Sequence, residues 1–512
     1  MNDVPQPASP AGSRDTIVIL SRGARLALMY REAALDLARD YRVVVLMLDE
    51  SEHDIWRGAD GVICIDLAAE IAREAEKSGA SLAERTKEIE RETGLQLYKA
   101  ASNYLLYRRF AKQYYGGYAP FYAHDREMME EYVGSHAVLS RILDQYRPVL
   151  IVHEALDLIS TLMTLALAYR RGIFNVGWVF AGGMKEGTVF FYYGLRRQNL
   201  LCSYLMRHPQ LIAAESRQKA RALIAAARGE GPPLLSHVET RRARLRQPWH
   251  LLRELMRFGG LRHPRILFER IRNVVWLSRR VVHEIPEQPF ILFLMHLQPE
   301  ASTTSQAPRW VDQERIVEQI AINAPQGIQI VVKENPQCYG WRGRSYYGAL
   351  ADLANVRLCH PLVPTRELIR RAAALVTITG SAGIEAILQG TRVAVLGRPH
   401  FSEFAGVRVL DAPEQVFEAL ADPSWRPEAY EADCETYVAA YVQSVYPLGD
   451  VEPGRKWPAP GVMGPRFAGG IRSTLSFITE HGLAPQQFDP GCPLVGPDAA
   501  EASTPRRQAA RV

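Results

Sequence analysis

Residues Ala374–Phe401 read ALVTITGSAGIEAILQGTRVAVLGRPHF and predict a strand, a turn with glycine, a helix and a second strand. Ala374–Ile378 is a short apolar, β-branched run, long enough for one buried strand. Ala382–Gln389 is a helical octet that Gly390 ends in the left-handed conformation, and Arg392–Leu396 is the next strand. Such a unit places a helix N-terminus at the carboxyl end of a parallel strand, where an anion can bind. The stretch therefore predicts a parallel α/β sheet.

The same stretch has residues that suit a nucleotide. Gly380 and Gly383 carry no Cβ, so a ligand can approach the backbone closely. Glu385 lies one turn into the helix, where a carboxylate can accept hydrogen bonds from a ribose. The alternative is an ordinary strand-turn-helix crossover with a solvated glutamate, and this stretch alone leaves both open.

Composition narrows the class of protein. The chain has 512 residues, which suits two domains with additional segments. A net charge of +5 is weak evidence for a polyanionic partner, and we expect no nucleic acid to bind. The six cysteines form no CxxC pair, so neither a disulfide framework nor a zinc site is indicated.

Localisation is predicted from two segments. The first fifteen residues, MNDVPQPASPAGSRD, lack the apolar core of a signal peptide. The most apolar run, Leu158–Ala168, is shorter than the roughly 20 residues that a membrane-spanning helix needs. We expect a cytoplasmic protein, with peripheral association with the inner membrane as an option.

A first α/β domain is predicted before residue 200. Thr16–Leu20 opens a β-α-β pattern, and Val149–Val152 is a later strand. Ligand-facing groups lie beyond the carboxyl ends of such strands, so His153, Glu154 and Asp157 are acid–base candidates. A helix N-terminus that favours acidic residues explains the same pattern equally well.

Two helices are predicted between those strands. Residues Ala68 to about Arg91 read as one charged, solvated helix. The aromatic-rich stretch Leu95–Tyr115 reads as a packed amphipathic helix rather than a base-stacking surface.

An arginine-rich segment follows the first domain. Between Arg241 and Arg280 there are twelve arginines, no lysine and two acids, a net charge of +10, with Trp and Phe interleaved. This pattern suits an anionic membrane surface or a lipid-linked acceptor. A plain linker with a solvated basic face is the alternative. The predicted surface residues are Arg241, Arg242, Trp249, Arg253 and Trp276.

Four loops of a second α/β domain are predicted to meet at one edge of its sheet. They contain residues 296–300, 333–336, 379–385 and 398–400. Lys333 is a point charge suited to a phosphate, and the alternative is a surface lysine. His296 offers acid–base chemistry, and the alternative is a hydrogen-bonded structural histidine.

Three segments of this domain resemble the capsule polysaccharide biosynthesis family. They are FILFLMHLQPEAST (290–303), IQIVVKENP (328–336) and VTITGSAGIEAILQGTRVAVLGRPHF (376–401). The family includes bacterial Kdo transferases. The resemblance therefore implies a GT-B-like fold, in which two Rossmann-like domains enclose a substrate cleft. Here the helical basic insert would join them.

The resemblance also implies ligands and site residues. The second domain would bind a nucleotide sugar, CMP-Kdo being the first candidate, with no other cofactor and no metal. The implied nucleotide-sugar residues are Gln298, Glu300, Lys333, Asn335, Thr379, Gly380, Ser381, Gly383 and Glu385. The catalytic candidates are Glu154, His153 and His296.

One position departs from the family pattern. Family members often read Lys-Glu-His-Pro where this chain has Asn335. Asparagine can donate a hydrogen bond but cannot carry a charge or move a proton. The change permits either a different donor or reduced activity.

The resemblance predicts a glycosyltransferase of capsule or surface-polysaccharide assembly, acting on a glycan or lipid-linked acceptor. A UDP-GlcNAc 2-epimerase-like enzyme and a non-catalytic capsule assembly or export partner are the alternatives. The predicted segments are a disordered 1–15, a first domain 16–199, a helical insert 200–285, a nucleotide-sugar domain 286–450, a crossing helix 451–485 and a disordered tail 486–512.

Overall fold

The computed structural model describes residues 14–76, 81–106, 124–184, 187–229, 264–336, 338–450 and 458–488. Within these residues the chain forms two α/β halves, each built on one mainly parallel sheet. The predicted fold class, with two Rossmann-like domains, is therefore confirmed. Much of the predicted basic insert, residues 230–263, lies outside the described residues, as do most of the two predicted disordered ends.

The first sheet consists of strands β1 (Thr16–Ser21), β2 (Arg42–Met47), β3 (Val62–Asp66), β4 (Leu150–His153), β5 (Phe174–Phe180), β6 (Thr188–Tyr193), β7 (Gln198–Asn199) and β14 (Tyr446–Pro447). Their order is β14-β6-β5-β4-β1-β2-β3, and β7 pairs with β6. Strands β1 to β5 are parallel, whereas β6 pairs antiparallel with its neighbours. Strand β1 is buried along its whole length, as expected in a parallel sheet covered on both faces.

The helices of the first half are Ala24–Leu37, His53–Trp56, Leu67–Glu76, Leu82–Thr93, Leu97–Ala100, Asp125–Tyr146 and Ile159–Arg170. The segment predicted as one helix from Ala68 to about Arg91 contains two α-helices, Leu67–Glu76 and Leu82–Thr93, and residues 77–80 between them lie outside the described part of the chain. Of the predicted aromatic helix, residues 97–100 and 102–106 are helical, a turn at Ala101 separates them, and residues 107–115 lie outside the described part of the chain.

The second sheet consists of β8 (Phe290–Leu294), β9 (Gln329–Lys333), β10 (Val356–Cys359), β11 (Ala374–Thr377), β12 (Val393–Val395) and β13 (Val407–Val409). Their order is β10-β9-β8-β11-β12-β13, with every pair parallel. This is the order of a nucleotide-binding doubly wound sheet, in which the chain starts at the centre and works outward in both directions.

The helices of the second half are Ala301–Thr304, Gln313–Ile322, Arg344–Ala351, Thr365–Arg371, Ala382–Gln389, Val416–Ala421 and Glu431–Gln443. The helix predicted at Ala382–Gln389 has these same bounds, and Gly390 ends it with a φ of 73°. Local sequence decides this element, because the apolar spacing and the left-handed glycine agree.

Two helices from the segment predicted as an insert pack on the second half. Leu200–Arg207 and Ala214–Arg228 both lie against Glu431–Gln443. Arg228 at the end of one helix pairs with Glu431 at the start of another at 2.8 Å. This part of the insert is therefore fixed to the second sheet's helical layer.

The end of the described chain returns to the first half. Helix Pro460–Glu480 packs along Ala24–Leu37. Arg472 donates hydrogen bonds to Asp36 at 2.6 Å and to Asp40 at 2.8 Å. Together with β14, this helix ties the carboxyl end of the chain to the first sheet.

Candidate functional site

Each sheet has a point where the order of its strands reverses. In the second sheet it lies between β8 and β11, and in the first sheet between β1 and β4. Ligands of such sheets bind beyond the carboxyl ends of these strands, because the loops diverge there. The predicted residues from 296 to 300 follow β8, those from 379 to 385 follow β11, and those from 153 to 157 follow or end β4.

His296 links the two loops at the reversal point of the second sheet. Its Nε2 accepts hydrogen bonds from the backbone N–H groups of Ile378 at 3.2 Å and Thr379 at 3.3 Å. Burial and then the charge of Arg342 lower the pKa of His296 to about 4, so the ring is neutral. A nitrogen engaged by two amides is not available to take a proton from a substrate, so this contact favours a positioning role over the predicted catalytic one.

The turn after β11 exposes a helix N-terminus. Ser381 is exposed and precedes helix Ala382–Gln389 without capping it through its side chain. The backbone N–H groups of Ser381 and Ala382 form no hydrogen bond with any described residue. These amides, at the positive end of the helix dipole, can bind an anionic oxygen.

The two glycines of this turn are explained by packing. A Cβ on Gly383 would lie 2.4 Å from the ring of Phe401. A Cβ on Gly380 would lie 2.7 Å from the hydroxyl of Thr377. The sequence analysis attributed these glycines to the close approach of a ligand. In the structure, side chains of the protein itself occupy the space that a Cβ would need.

Glu385 is the carboxylate nearest this turn along the chain. Burial raises its pKa, and the charges of Lys333 and Arg366 oppose that rise. Its side chain forms no hydrogen bond with any described residue. A half-buried carboxylate without such a partner can accept the hydroxyl groups of a sugar.

Lys333 lies beneath the site rather than on its surface. Its Nζ is buried and donates to the carbonyl oxygen of Val363 at 2.6 Å and to the hydroxyl of Thr365. The sequence predicted a direct phosphate contact from this lysine. The structure instead uses it to join the loops after β9 and β10, and its charge reaches Glu385 electrostatically.

A buried ion pair that sequence reasoning missed joins the loops after β8 and β9. Arg342 is fully buried and contacts Glu334 at 2.7 Å. Its guanidinium also donates to the carbonyl oxygen of His296 at 2.7 Å and to the side-chain oxygen of Gln298 at 2.8 Å. Gln298, predicted as a ligand contact, is therefore part of this buried framework. A buried charge survives only with such partners.

The remaining predicted residues of these loops have mainly local contacts. Asn335 donates its backbone N–H to the carboxylate of Glu334 at 2.8 Å. Glu300 is exposed and accepts a hydrogen bond from the hydroxyl of Ser302 at 2.7 Å. The hydroxyl of Thr379 donates to the carbonyl oxygen of Ser302 at 3.3 Å. These contacts connect the loops after β8 and β11 a second time.

The reversal point of the first sheet contains a carboxyl group with an altered pKa. Burial, only partly opposed by the charge of Arg22, raises the pKa of Glu154 to about 7. Arg22, which follows β1, contacts Asp157 at 2.6 Å. Glu154 is therefore poised to gain or lose a proton near neutral pH.

His153 is unsuited to the acid–base role that the sequence predicted. Burial and then the charge of Arg197 lower its pKa to about 3. Its ring packs edge-on against Tyr192, with 5.7 Å between ring centroids. A buried histidine that stays neutral contributes packing here, so Glu154 is the stronger candidate.

Loops next to the two reversal points lie close together. A Cβ on Gly182, in the first half, would lie 3.2 Å from the Cβ of Ser381. The charge of Arg197 acts on both sides, since it opposes the raised pKa of Glu154 and, after burial, helps to lower the pKa of His400 to about 3. The two sets of loops thus face one another across a shared boundary.

The predicted membrane surface is only partly within the described residues. Arg241, Arg242, Trp249 and Arg253 lie outside them. Trp276 is partly buried, with the guanidinium of Arg280 4.0 Å from its ring centroid. In the described ranges, no helix is both long and apolar enough to span a bilayer, and no three metal-ligating side chains cluster.

The sheets and their reversal points define a two-domain Rossmann-like α/β protein. Residues 287–444 match the model of the family described as capsule polysaccharide biosynthesis protein. The resemblance seen in the sequence is therefore confirmed over these residues. A search of curated proteins finds no match to the chain.

Solved structures show distant similarity. A Kdo 2,7 transferase of Thermosulfurimonas dismutans KpsC is 10% identical, with a TM-score of 0.36, covering 72% of this chain and 95% of its own. A Kdo 2,4 transferase of the same KpsC is 11% identical, with a TM-score of 0.36, covering 62% and 87%. A UDP-GlcNAc 2-epimerase of Neisseria meningitidis is 13% identical, with a TM-score of 0.23, covering 84% and 97%. Because these TM-scores are low, the fold assignment depends on the sheets themselves.

The packing of Gly383 predicts that Gly383→Ala lowers the free energy of unfolding by about 1–3 kcal/mol, because the methyl group overlaps Phe401. Urea unfolding measures this. In the matched control Gly469→Ala the new methyl group meets nothing within 4 Å. Because alanine favours a helix more than glycine does, this control should raise the free energy of unfolding by at most about 1 kcal/mol. Equal effects of the two substitutions would contradict the packing.

The buried ion pair predicts a large cost for Arg342→Met, about 3–5 kcal/mol of unfolding free energy, because Glu334 then stays buried without its partner. Adding Glu334→Gln should restore part of the loss. The control Arg315→Met breaks an exposed pair with Glu318 and should cost at most about 1 kcal/mol. A loss for Arg342→Met no larger than this control would be inconsistent with a buried framework.

Proposed function

We propose that the protein is a glycosyltransferase of capsule or surface-polysaccharide assembly. It takes a sugar from a nucleotide sugar, CMP-Kdo being the first donor to test, and passes it to a glycan or lipid-linked acceptor. The observation that carries this proposal is the pairing of two features across one boundary. A carboxyl group with a pKa of about 7 lies at one reversal point, and open helix amides lie at the other.

On the donor side, the amides of Ser381 and Ala382 would bind the phosphate and stabilise the charge that develops as it leaves. Glu385 would accept hydrogen bonds from the ribose. Lys333 would add positive potential from beneath the site, since it is buried. Thr379 and Gly380 form the turn that presents these groups. The donor role of this turn is supported by the family match over residues 287–444.

On the acceptor side, Glu154 would take a proton from the attacking hydroxyl or act as a nucleophile. The low pKa of His153 makes it unsuited to either task. Arg22 and Arg197 flank this carboxyl group electrostatically and keep its pKa from rising further. An ionised Glu154 would therefore be available from neutral pH upward.

We further propose a cytoplasmic location with peripheral contact to the inner membrane, and no requirement for nucleic acid or a resident cofactor. Asn335 leaves a second candidate function open, a non-catalytic assembly or export partner. The position of Lys333 also favours this non-catalytic function. Its ammonium group is buried, so it would not contact a leaving phosphate directly.

The test is turnover with defined donors. Purified protein is incubated with CMP-Kdo, common UDP-sugars and UDP-GlcNAc, and transfer, hydrolysis and epimerisation are measured. Transfer or donor hydrolysis supports the proposal, and epimerisation alone supports the epimerase-like alternative. CMP binding without any turnover supports the assembly-partner function, and inertness with no nucleotide binding removes both enzyme functions.

Glu154→Gln should lower the transfer rate by about 10²–10⁴-fold while nucleotide affinity stays unchanged, because the amide cannot take a proton. The wild-type rate should rise with pH through about 7, where Glu154 loses its proton. Rates measured from acid to mildly alkaline pH with both proteins test this. A variant that keeps the wild-type rate and pH profile would refute the assignment.

The same substitution has a stability signature. The pKa of Glu154 is raised in the folded state from about 4.5 to about 7, so its contribution to stability is complete at low pH and is lost as pH rises through 7. The difference in melting temperature, Glu154→Gln minus wild type, should therefore increase as the pH rises from about 4.5 to about 7. A constant difference across this range would speak against the raised pKa.

Glu385→Gln should weaken nucleotide binding about tenfold, because one carboxylate acceptor for the ribose is lost. Isothermal titration with CMP measures the effect. Glu418→Gln, a change at an exposed glutamate of another helix, is the control and should bind as wild type. Unchanged affinity in Glu385→Gln would exclude the ribose contact.

A further inference from the structure

Helix Pro264–Ser278 carries an apolar stripe on its exposed side. Phe268 is 65% exposed, and Ile271 and Val275 are each 49% exposed. Their spacing of three and four residues puts them on one face of the helix. Three adjacent large apolar side chains in water are unusual for a helix that is packed onto a folded protein.

The opposite side of the helix is fixed to the second half. Asn273 is buried and donates its side-chain amide to the carbonyl oxygens of Gly340 at 3.1 Å and Arg342 at 3.3 Å. Leu277 is buried in the second hydrophobic core. The outward direction of the stripe is therefore set by the fold.

Arginines border the stripe. Arg272 follows Phe268 by four residues and lies on the same side of the helix, and Arg279 comes directly after the helix ends; both arginines are exposed. Glu269 is the one acidic residue of the described helix. This face thus combines apolar side chains with positive charge.

We propose that this face is the membrane-docking surface of the protein, and that its partner is a bilayer containing anionic lipid. An amphipathic helix of this composition lies in the lipid interface, with its apolar side chains inserted and its arginines near the headgroups. The sequence predicted Trp276 as part of a membrane surface, but its ring is packed inward. In the proposed surface, Phe268, Ile271 and Val275 supply the apolar contact instead.

Charge disfavours two other occupants. The preceding segment, residues 230–263, contains seven arginines and three acids, so its net charge has the same sign as the helix. A second copy of the helix would also bring like charges together. An anionic lipid surface neutralises the arginines and buries the stripe at once.

The test is sedimentation of the full-length protein with vesicles of phosphatidylcholine, with or without about 30 mol% phosphatidylglycerol. Wild type should bind the anionic vesicles and bind phosphatidylcholine alone at least about tenfold more weakly. The triple variant Phe268→Ser/Ile271→Ser/Val275→Ser should lose binding at least about tenfold. The control Ile322→Ser alters a 66% exposed residue of another helix and should bind as wild type.

A charge variant separates the two contributions. Arg272→Gln/Arg279→Gln should lose the preference for anionic vesicles, whereas Arg57→Gln, at a distant exposed arginine, should keep it. Absence of vesicle binding by wild type, or full binding by the triple variant, would overturn the proposal. So would a vesicle-free dimer that the triple variant abolishes, because it assigns the face to a second copy. These assays use no sugar donor, so their outcome is independent of glycosyl transfer.

Discussion

The reversal of strand order in each sheet is the constraint on which the site depends. Parallel strands place all their carboxyl ends at one edge, and successive loops diverge where the order reverses. The turn after β11 lies at this point in the second sheet, and Glu154 follows β4 at this point in the first. The close approach of Gly182 to Ser381 brings loops of the two halves together beside these two points.

The guanidinium of Arg342 keeps the donor-side loops in place. A fully buried charge is costly unless every donor has a partner, and here the partners are Glu334, the side chain of Gln298 and the backbone of His296. These residues are therefore framework, although several lie on loops that usually hold ligands. Among the described residues of these loops, the amides of the turn and the carboxylate of Glu385 have no hydrogen-bond partner and suit a ligand.

The sequence predicted correctly those helices and strands that are determined by residues close together in the chain. Helix Ala382–Gln389 has its predicted bounds because apolar spacing and Gly390 agree. The sequence did not indicate β6, whose strand bonds are made with β5, β7 and β14. The same limit applies to the site. Lys333 looked like a ligand contact, but its partner Val363 lies thirty residues further along the chain. The raised pKa of Glu154 could not be predicted, because it depends on burial by distant segments.

The most direct test of the central claim is a crystal structure of the protein with CMP bound. The account predicts a phosphate oxygen within hydrogen-bond distance of the amides of Ser381 and Ala382, with the ribose hydroxyls facing Glu385. A nucleotide bound away from the turn after β11, or a turn closed by protein atoms with no room for phosphate, would contradict it.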